Sequence, residues 1–146
     1  MKSVVFASVA AVTLLLVSVA AVGAASSGPR SAGASFCVAS KNVASDLVNI
    51  QKQLQSAPNP TRLKAEYGAI IAAEPALRSS APGNLKGNVN TVLTLANNIA
   101  GYLKKANWSI TGILPYVSTI EVQVNKAKPS LDALDHYYKV TCKFKV

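Results

Sequence analysis

The chain has 146 residues, of which fifteen are basic and six are acidic, giving a formal net charge of +9 at neutral pH. This length suits one domain with one apolar core, and a single histidine with two cysteines falls short of a typical zinc-ligand set. The sequence also lacks phosphate-binding loops, metalloprotease signatures, nucleophile elbows and nucleic-acid-binding motifs. We therefore predict no cofactor, no metal and no nucleic-acid partner.

The first 25 residues have the layout of a secretory signal peptide. Lys2 is followed by an almost entirely apolar run over residues 4–22 and then by small residues that end at Ala25. We predict cleavage near Ala24 or Ala25 and a secreted or cell-envelope protein. The alternative is an uncleaved membrane anchor, because the run approaches the roughly 20 residues that span a bilayer. Cleavage would leave fourteen basic and six acidic residues, and that basic excess favours contact with anionic surfaces.

The exported part begins with a short tether and continues as one helical domain. Residues 26–35 are small and polar without apolar periodicity, which is typical of a disordered segment, and we assign residues 36–146 to the domain. The first helix is predicted to begin near Phe36 and to end at the Pro-Asn-Pro sequence of residues 58–60, because proline is costly in a helix interior. Its apolar residues alternate spacings of four and three: Val43, Leu47, Ile50 and Leu54.

A second helix follows the prolines, with Thr61 as its predicted N-cap. Glu74 lies beside the apolar face and directly before Pro75, where we expect a kink. A carboxylate there could suggest catalysis, but we expect Glu74 to lean toward solvent or to pair with Arg78 one turn later. The apolar face of this helix consists of Leu63, Tyr67, Ile70, Ile71 and Leu77.

The third helix has the strongest periodic signal in the chain. Leu93, Leu95 and Tyr102 widen its apolar face beyond a two-stranded seam, which suits a helix packed against several others. Gly83 or Asn84 is predicted to cap its start, and Asn107 to end it. The central stripe consists of Leu85, Val89, Val92, Ala96, Ile99, Leu103 and Ala106.

The remaining two segments carry mixed signals. Residues 108–127 fit a helix, yet apolar and polar residues alternate over 120–124 as in a strand. Ser130 is predicted to cap a last helix, but alternation returns over residues 138–146. We predict that both segments are helical, so that the domain is an all-α, up-down bundle of about four passes. The alternative is an α+β fold with a short ribbon formed by residues 118–124 and 138–146.

The two cysteines, Cys37 and Cys142, lie near the two ends of the exported part. In an exported protein such a pair predicts one disulfide, which would close almost the whole domain into a loop. A bridge between the start of the first helix and the end of the last requires an even number of passes. Because five segments are predicted, we expect residues 108–127 to form a short or oblique crossing.

The chain resembles a type of small, exported all-α protein associated with actinobacterial genomes. The residues that carry the resemblance are Phe36-Cys37, Ala81-Pro82 and the run 131–135 that leads to Cys142. Such proteins combine a signal peptide, a small-residue tether and a helical domain between an early and a late cysteine. The resemblance implies export and a helical fold and implies no activity. The lysine-rich C-terminus departs from the pattern, in which the chain stops soon after the second cysteine.

The side chains that could carry chemistry are few. His136 has Asp132 one turn before it and Asp135 beside it, and we interpret it as a surface imidazole because no serine motif accompanies it. At the C-terminus aromatic residues alternate with lysines, a pattern that can engage an anionic partner through charge and apolar contact. These residues are Tyr137, Tyr138, Lys139, Lys143, Phe144 and Lys145.

Three functions are compatible with these features. The first is a non-enzymatic interaction protein that contacts an anionic envelope surface or another envelope protein. In this hypothesis the chain meets a membrane only peripherally or through an uncleaved signal segment. The second is a carrier of a small apolar ligand held between the helices. The third, an enzyme, has no motif in its favour.

Overall fold

The computed structural model describes residues 32–55 and 58–144, and this part of the chain is an all-α bundle closed by one disulfide. No strand occurs within these ranges. Short 3-10 turns, Gly83–Leu85 and Leu114–Tyr116, precede the last two helices, and a π-helical turn, Tyr138–Cys142, ends the bundle. The helices are α1 (Ala32–Gln55), α2 (Pro60–Ser80), α3 (Lys86–Lys105) and α4 (Val117–Tyr137).

Each helix packs against the next one along the chain, as the up-down prediction requires. Asn97 of α3 donates a hydrogen bond to Glu74 of α2, and Arg78 of α2 donates one to Asn90 of α3. As the residue number rises along α2 it falls along α3, so the two helices are antiparallel. Arg78 also pairs with Glu74 at 3.4 Å, as predicted.

The structure changes the predicted start of the first two helices. Helix α1 begins at Ala32, so residues 32–35 are helical and do not form part of a tether. Helix α2 is capped by Asn59, whose side chain accepts hydrogen bonds from the amides of Thr61 and Arg62, at 3.0 and 3.1 Å. Thr61 was the wrong cap because the proline at residue 60, with its fixed φ, already suits the first helical position. The predicted signal segment and residues 26–31 lie outside the described residues.

Helix α2 continues through Pro75 to Ser80, and helix α3 begins differently from the prediction. A 3-10 turn, not a side-chain cap, leads into α3, so neither Gly83 nor Asn84 acts as a cap. The end of α3 is as predicted. Asn107 adopts a left-handed conformation, φ 51°, and the next amide, that of Trp108, bonds back to the carbonyl of Leu103 at 2.7 Å.

The last two predicted segments are largely one helix. Helix α4 runs from Val117 to Tyr137 without a break, with Pro129 in its interior, so Ser130 is not a cap and residues 108–127 are not a separate crossing. The prediction of a helix start at Pro129 was wrong, because the four-three spacing of apolar residues continues on both sides of this proline. The residues on this face are Ile120, Val124, Ala127, Leu131, Leu134 and Tyr138.

The disulfide joins the start of the first helix to the turn after the last one, at the same end of the bundle, as predicted. The Cα atoms of Cys37 and Cys142 are 5.4 Å apart across 105 residues of sequence. Residues 138–142 form a π-helical turn, and the alternation there does not produce a strand. Merging the fourth and fifth segments gives the even number of passes that this bridge requires.

The buried apolar residues form two groups along the bundle axis. The disulfide-end cluster consists of Phe36, Leu77, Ala81, Leu85, Val89, Leu93 and Leu134. The distal cluster, toward the loops that follow α1 and α3, consists of Ile50, Leu63, Ile70, Leu95, Leu103, Ala106, Ile113, Ile120, Val124 and Ala127.

Candidate functional site

A cavity of about 150 Å³ lies between the helices, where the two core clusters meet. All four helices contribute to its wall, and every lining side chain is buried or half-buried. Phe36, Leu77 and Leu134 of the disulfide-end cluster lie on the wall. Ile70 and Val124 of the distal cluster lie on it as well. The cavity therefore interrupts a core that would otherwise run continuously along the bundle.

Small side chains at inward-facing positions account for the space. Ala44 of α1 and Ala96 of α3 line the cavity, and each fills only the volume of a methyl group there. Ala96 belongs to the predicted stripe of α3, so its burial was expected but the space beside it was not. Close-packed interiors leave few voids larger than a water molecule, so this one needs an explanation.

One corner of the cavity is polar. Ser40 of α1 lines it and is only 4% exposed, and its hydroxyl has no hydrogen-bond partner within the part of the chain that the structure describes. Tyr138 and Asp135 line the same cavity from the end of α4 and the turn after it. Burial raises the pKa of Tyr138, and a polar contact of its hydroxyl with that of Ser40, which falls short of hydrogen-bond geometry, offsets part of that rise. Asp135 forms an ion pair with Lys139.

A second tyrosine lies on the α2 wall. Burial raises the pKa of Tyr67 to about 12, so its ring enters the cavity wall in the neutral form at any ordinary pH. The ring packs beside that of Trp108, with 6.0 Å between their centroids. The wall is thus uncharged there, and its neutral state is maintained by burial.

The predicted C-terminal contact residues divide into two groups. The aromatic rings pack inward: Tyr137 and Tyr138 lie 5.9 and 6.0 Å from the ring of Phe36. The half-buried ring of Phe144 stacks on Tyr138 at 5.1 Å. The lysines Lys139 and Lys143 are exposed, together with Val140, which is 52% exposed. Lys145 lies outside the described residues.

The other side chains that could carry chemistry are not gathered into a site. His136 is exposed, and Asp132 pairs with Lys128 at 3.1 Å. Over residues 32–55 and 58–144, no three or more histidine, cysteine, aspartate or glutamate side chains are close enough to hold a metal ion.

Sequence reasoning missed the cavity, although one signal for it was present. Phe36, Ser40, Val43, Leu47 and Ile50 continue the four-three spacing of α1, so Ser40 occupies a core-facing position in an otherwise apolar stripe. A serine there marks a polar point inside the core. The volume beside it depends on how four helices meet, and spacing within one helix contains no information on that.

The fold and cavity define an all-α, disulfide-closed bundle with an internal apolar space. Comparisons with protein-family models, with curated proteins and with solved structures found no match to this chain. Within the described residues, none of the helices combines the length and the apolar character that crossing a membrane would need.

Proposed function

We propose that this protein is an exported, non-enzymatic domain that binds a small apolar ligand between its helices. The cavity of about 150 Å³ carries the proposal, because it interrupts the core and has walls from all four helices. A mostly apolar space of this size takes up a guest of about the size of benzene. Binding such a guest restores the dispersion contacts that the lining side chains lack.

The binding test uses toluene as the probe. Calorimetric titration of the oxidised protein with toluene should give saturable binding, and the Ala96→Leu variant should lower the affinity at least about tenfold because its side chain occupies the cavity. Ala44→Leu is a second filling variant from the opposite helix. Ala72→Leu, at an exposed position on α2, is the matched control and should bind toluene normally. Equal affinity in the filled and control variants would remove the proposal.

Export forms part of the same proposal and rests on the residues before Ser26. The intact mass of the protein recovered from the medium of an expressing cell should correspond to a chain that begins just after Ala24 or Ala25. Full-length protein retained in the membrane fraction would favour the anchor instead. The resemblance to exported actinobacterial proteins supports the first outcome.

A second candidate function is contact with an anionic surface through the end of the bundle. It is supported by the basic excess and by the exposed Lys139, Lys143 and Val140 beside the disulfide. The protein should sediment with phosphatidylglycerol vesicles, not with phosphatidylcholine vesicles, and high salt should release it. Lys143→Gln should weaken binding more than Lys64→Gln, an exposed lysine on α2. Salt-insensitive or absent sedimentation would exclude this function.

A further inference from the structure

The cavity differs in polarity from one end to the other, and this difference limits what it can bind. Most of the wall is apolar, with Val43, Leu47, Leu95 and Ile99 among the lining side chains. Ser40 contributes a buried hydroxyl whose polar neighbour is the Tyr138 hydroxyl, yet the geometry gives it no hydrogen bond of normal length and angle in the described residues. Such a group is expensive to bury, and native interiors rarely keep one without a ligand, a water or a function.

Resting on the proposed function, we infer that the ligand is a small neutral alcohol or phenol whose hydroxyl group bonds to Ser40 while its apolar body fills the cavity. A serine hydroxyl both donates and accepts, so it can bond to a hydroxyl in either direction. The volume of about 150 Å³ admits a single six-membered ring or a short alkyl chain with one polar atom. Larger lipids exceed it.

The side chains of the cavity wall argue against a charged ligand. None of the lining side chains in the described residues is basic, so a carboxylate ligand would lose its hydration without gaining a counter-charge. The Tyr138 hydroxyl is held neutral by burial, so this corner does not favour a negative charge. A cation could meet Asp135, but Lys139 already forms an ion pair with that carboxylate. A neutral hydroxyl is the group that satisfies Ser40 without bringing a charge into the cavity.

The test compares toluene with phenol, which have the same shape and number of heavy atoms and differ in a methyl and a hydroxyl group. Wild-type protein should bind phenol at least as tightly as toluene. Ser40→Ala should weaken phenol binding about tenfold, the value of a buried hydrogen bond together with the penalty for leaving a hydroxyl unpaired, and should leave toluene binding intact. Ser45→Ala, an exposed serine on the same helix, is the matched control and should change neither affinity.

A second pair of probes, hexan-1-ol and hexanoate, tests whether the cavity accepts a charged ligand. Hexan-1-ol should bind at neutral pH and hexanoate should not. Toluene binding without a phenol-specific loss in Ser40→Ala, or tighter binding of hexanoate, would overturn the inference and leave the proposed function standing. Failure of every probe, toluene included, would overturn both. Retention of toluene binding by Ser40→Ala shows at the same time that the variant is folded.

Discussion

Single side chains set the electrostatic character of this interior. Tyr67 and Tyr138 present hydroxyl groups that burial keeps protonated, and Ser40 contributes a third hydroxyl to the same cavity wall. None of these groups carries a charge at neutral pH, whereas the lysines of the described residues are exposed on the surface, with Lys139 and Lys143 near the disulfide. The inside of the bundle and its surface are therefore suited to different partners.

Tyr67 gives a prediction about alkaline stability. Its pKa is about 12 in the folded protein, above the ordinary value of 10.0, so the folded state keeps a proton that the unfolded state loses. The free energy of unfolding should therefore fall as the pH rises from 10 toward 12, by about 2 kcal/mol from this group alone. Urea unfolding across this range should show a smaller loss for Tyr67→Phe than for the wild type. Tyr116→Phe is the control, and an identical loss in all three proteins would contradict the assignment.

At the level of elements, α4 shows what sequence spacing can and cannot predict. The stripe of α3 was predicted because seven apolar residues follow one another at four-three spacing without a proline between them. The stripe of α4 is equally regular, but Pro129 falls within it and helix interiors normally exclude proline. Packing of Ala127, Leu131 and Leu134 against the other helices outweighs the cost of a proline in the helix interior. This packing energy depends on the tertiary structure, so the spacing of residues along one helix does not reveal it.

Pro129 gives a prediction at the scale of this helix. Replacing it with alanine should restore a backbone N–H donor and remove a steric clash, and should raise the free energy of unfolding by up to about 3 kcal/mol. Urea unfolding of Pro129→Ala should show this gain. Pro115 lies in the short turn before α4, where proline is well tolerated, so Pro115→Ala should change stability little. A destabilised Pro129→Ala protein would mean that α4 is not one continuous helix.

At the scale of the whole molecule, one covalent bond closes a loop of about 105 residues. In the chain-entropy model such a loop is worth on the order of 4 to 5 kcal/mol, comparable to the net stability of a small domain. The Cys37→Ser/Cys142→Ser double variant should therefore lose most of its stability to urea. Reduced wild-type protein should behave in the same way. A double variant as stable as the oxidised protein would show that the bridge contributes little.

The pairing of these cysteines could be predicted because an exported chain with two cysteines has only one way to pair them. The position of the cavity could not, because it depends on the distances between helices that are far apart in sequence. The polar part of the cavity could be predicted only in part. Ser40 is recognisable as a polar residue in the apolar stripe of α1, but Asp135 and Tyr138, which line the same cavity, come from the other end of the chain.

The disulfide lies at one end of the bundle, and this position determines where the helices can separate. Cys37 and Cys142 lie beside the disulfide-end cluster, so that half of the bundle cannot spread without breaking a covalent bond. The distal half has no such covalent bond in the described residues and is held by apolar packing. We expect the helices to separate first in the distal half, away from the disulfide. Under the proposed function, a ligand enters and leaves at the distal half while the disulfide stays intact.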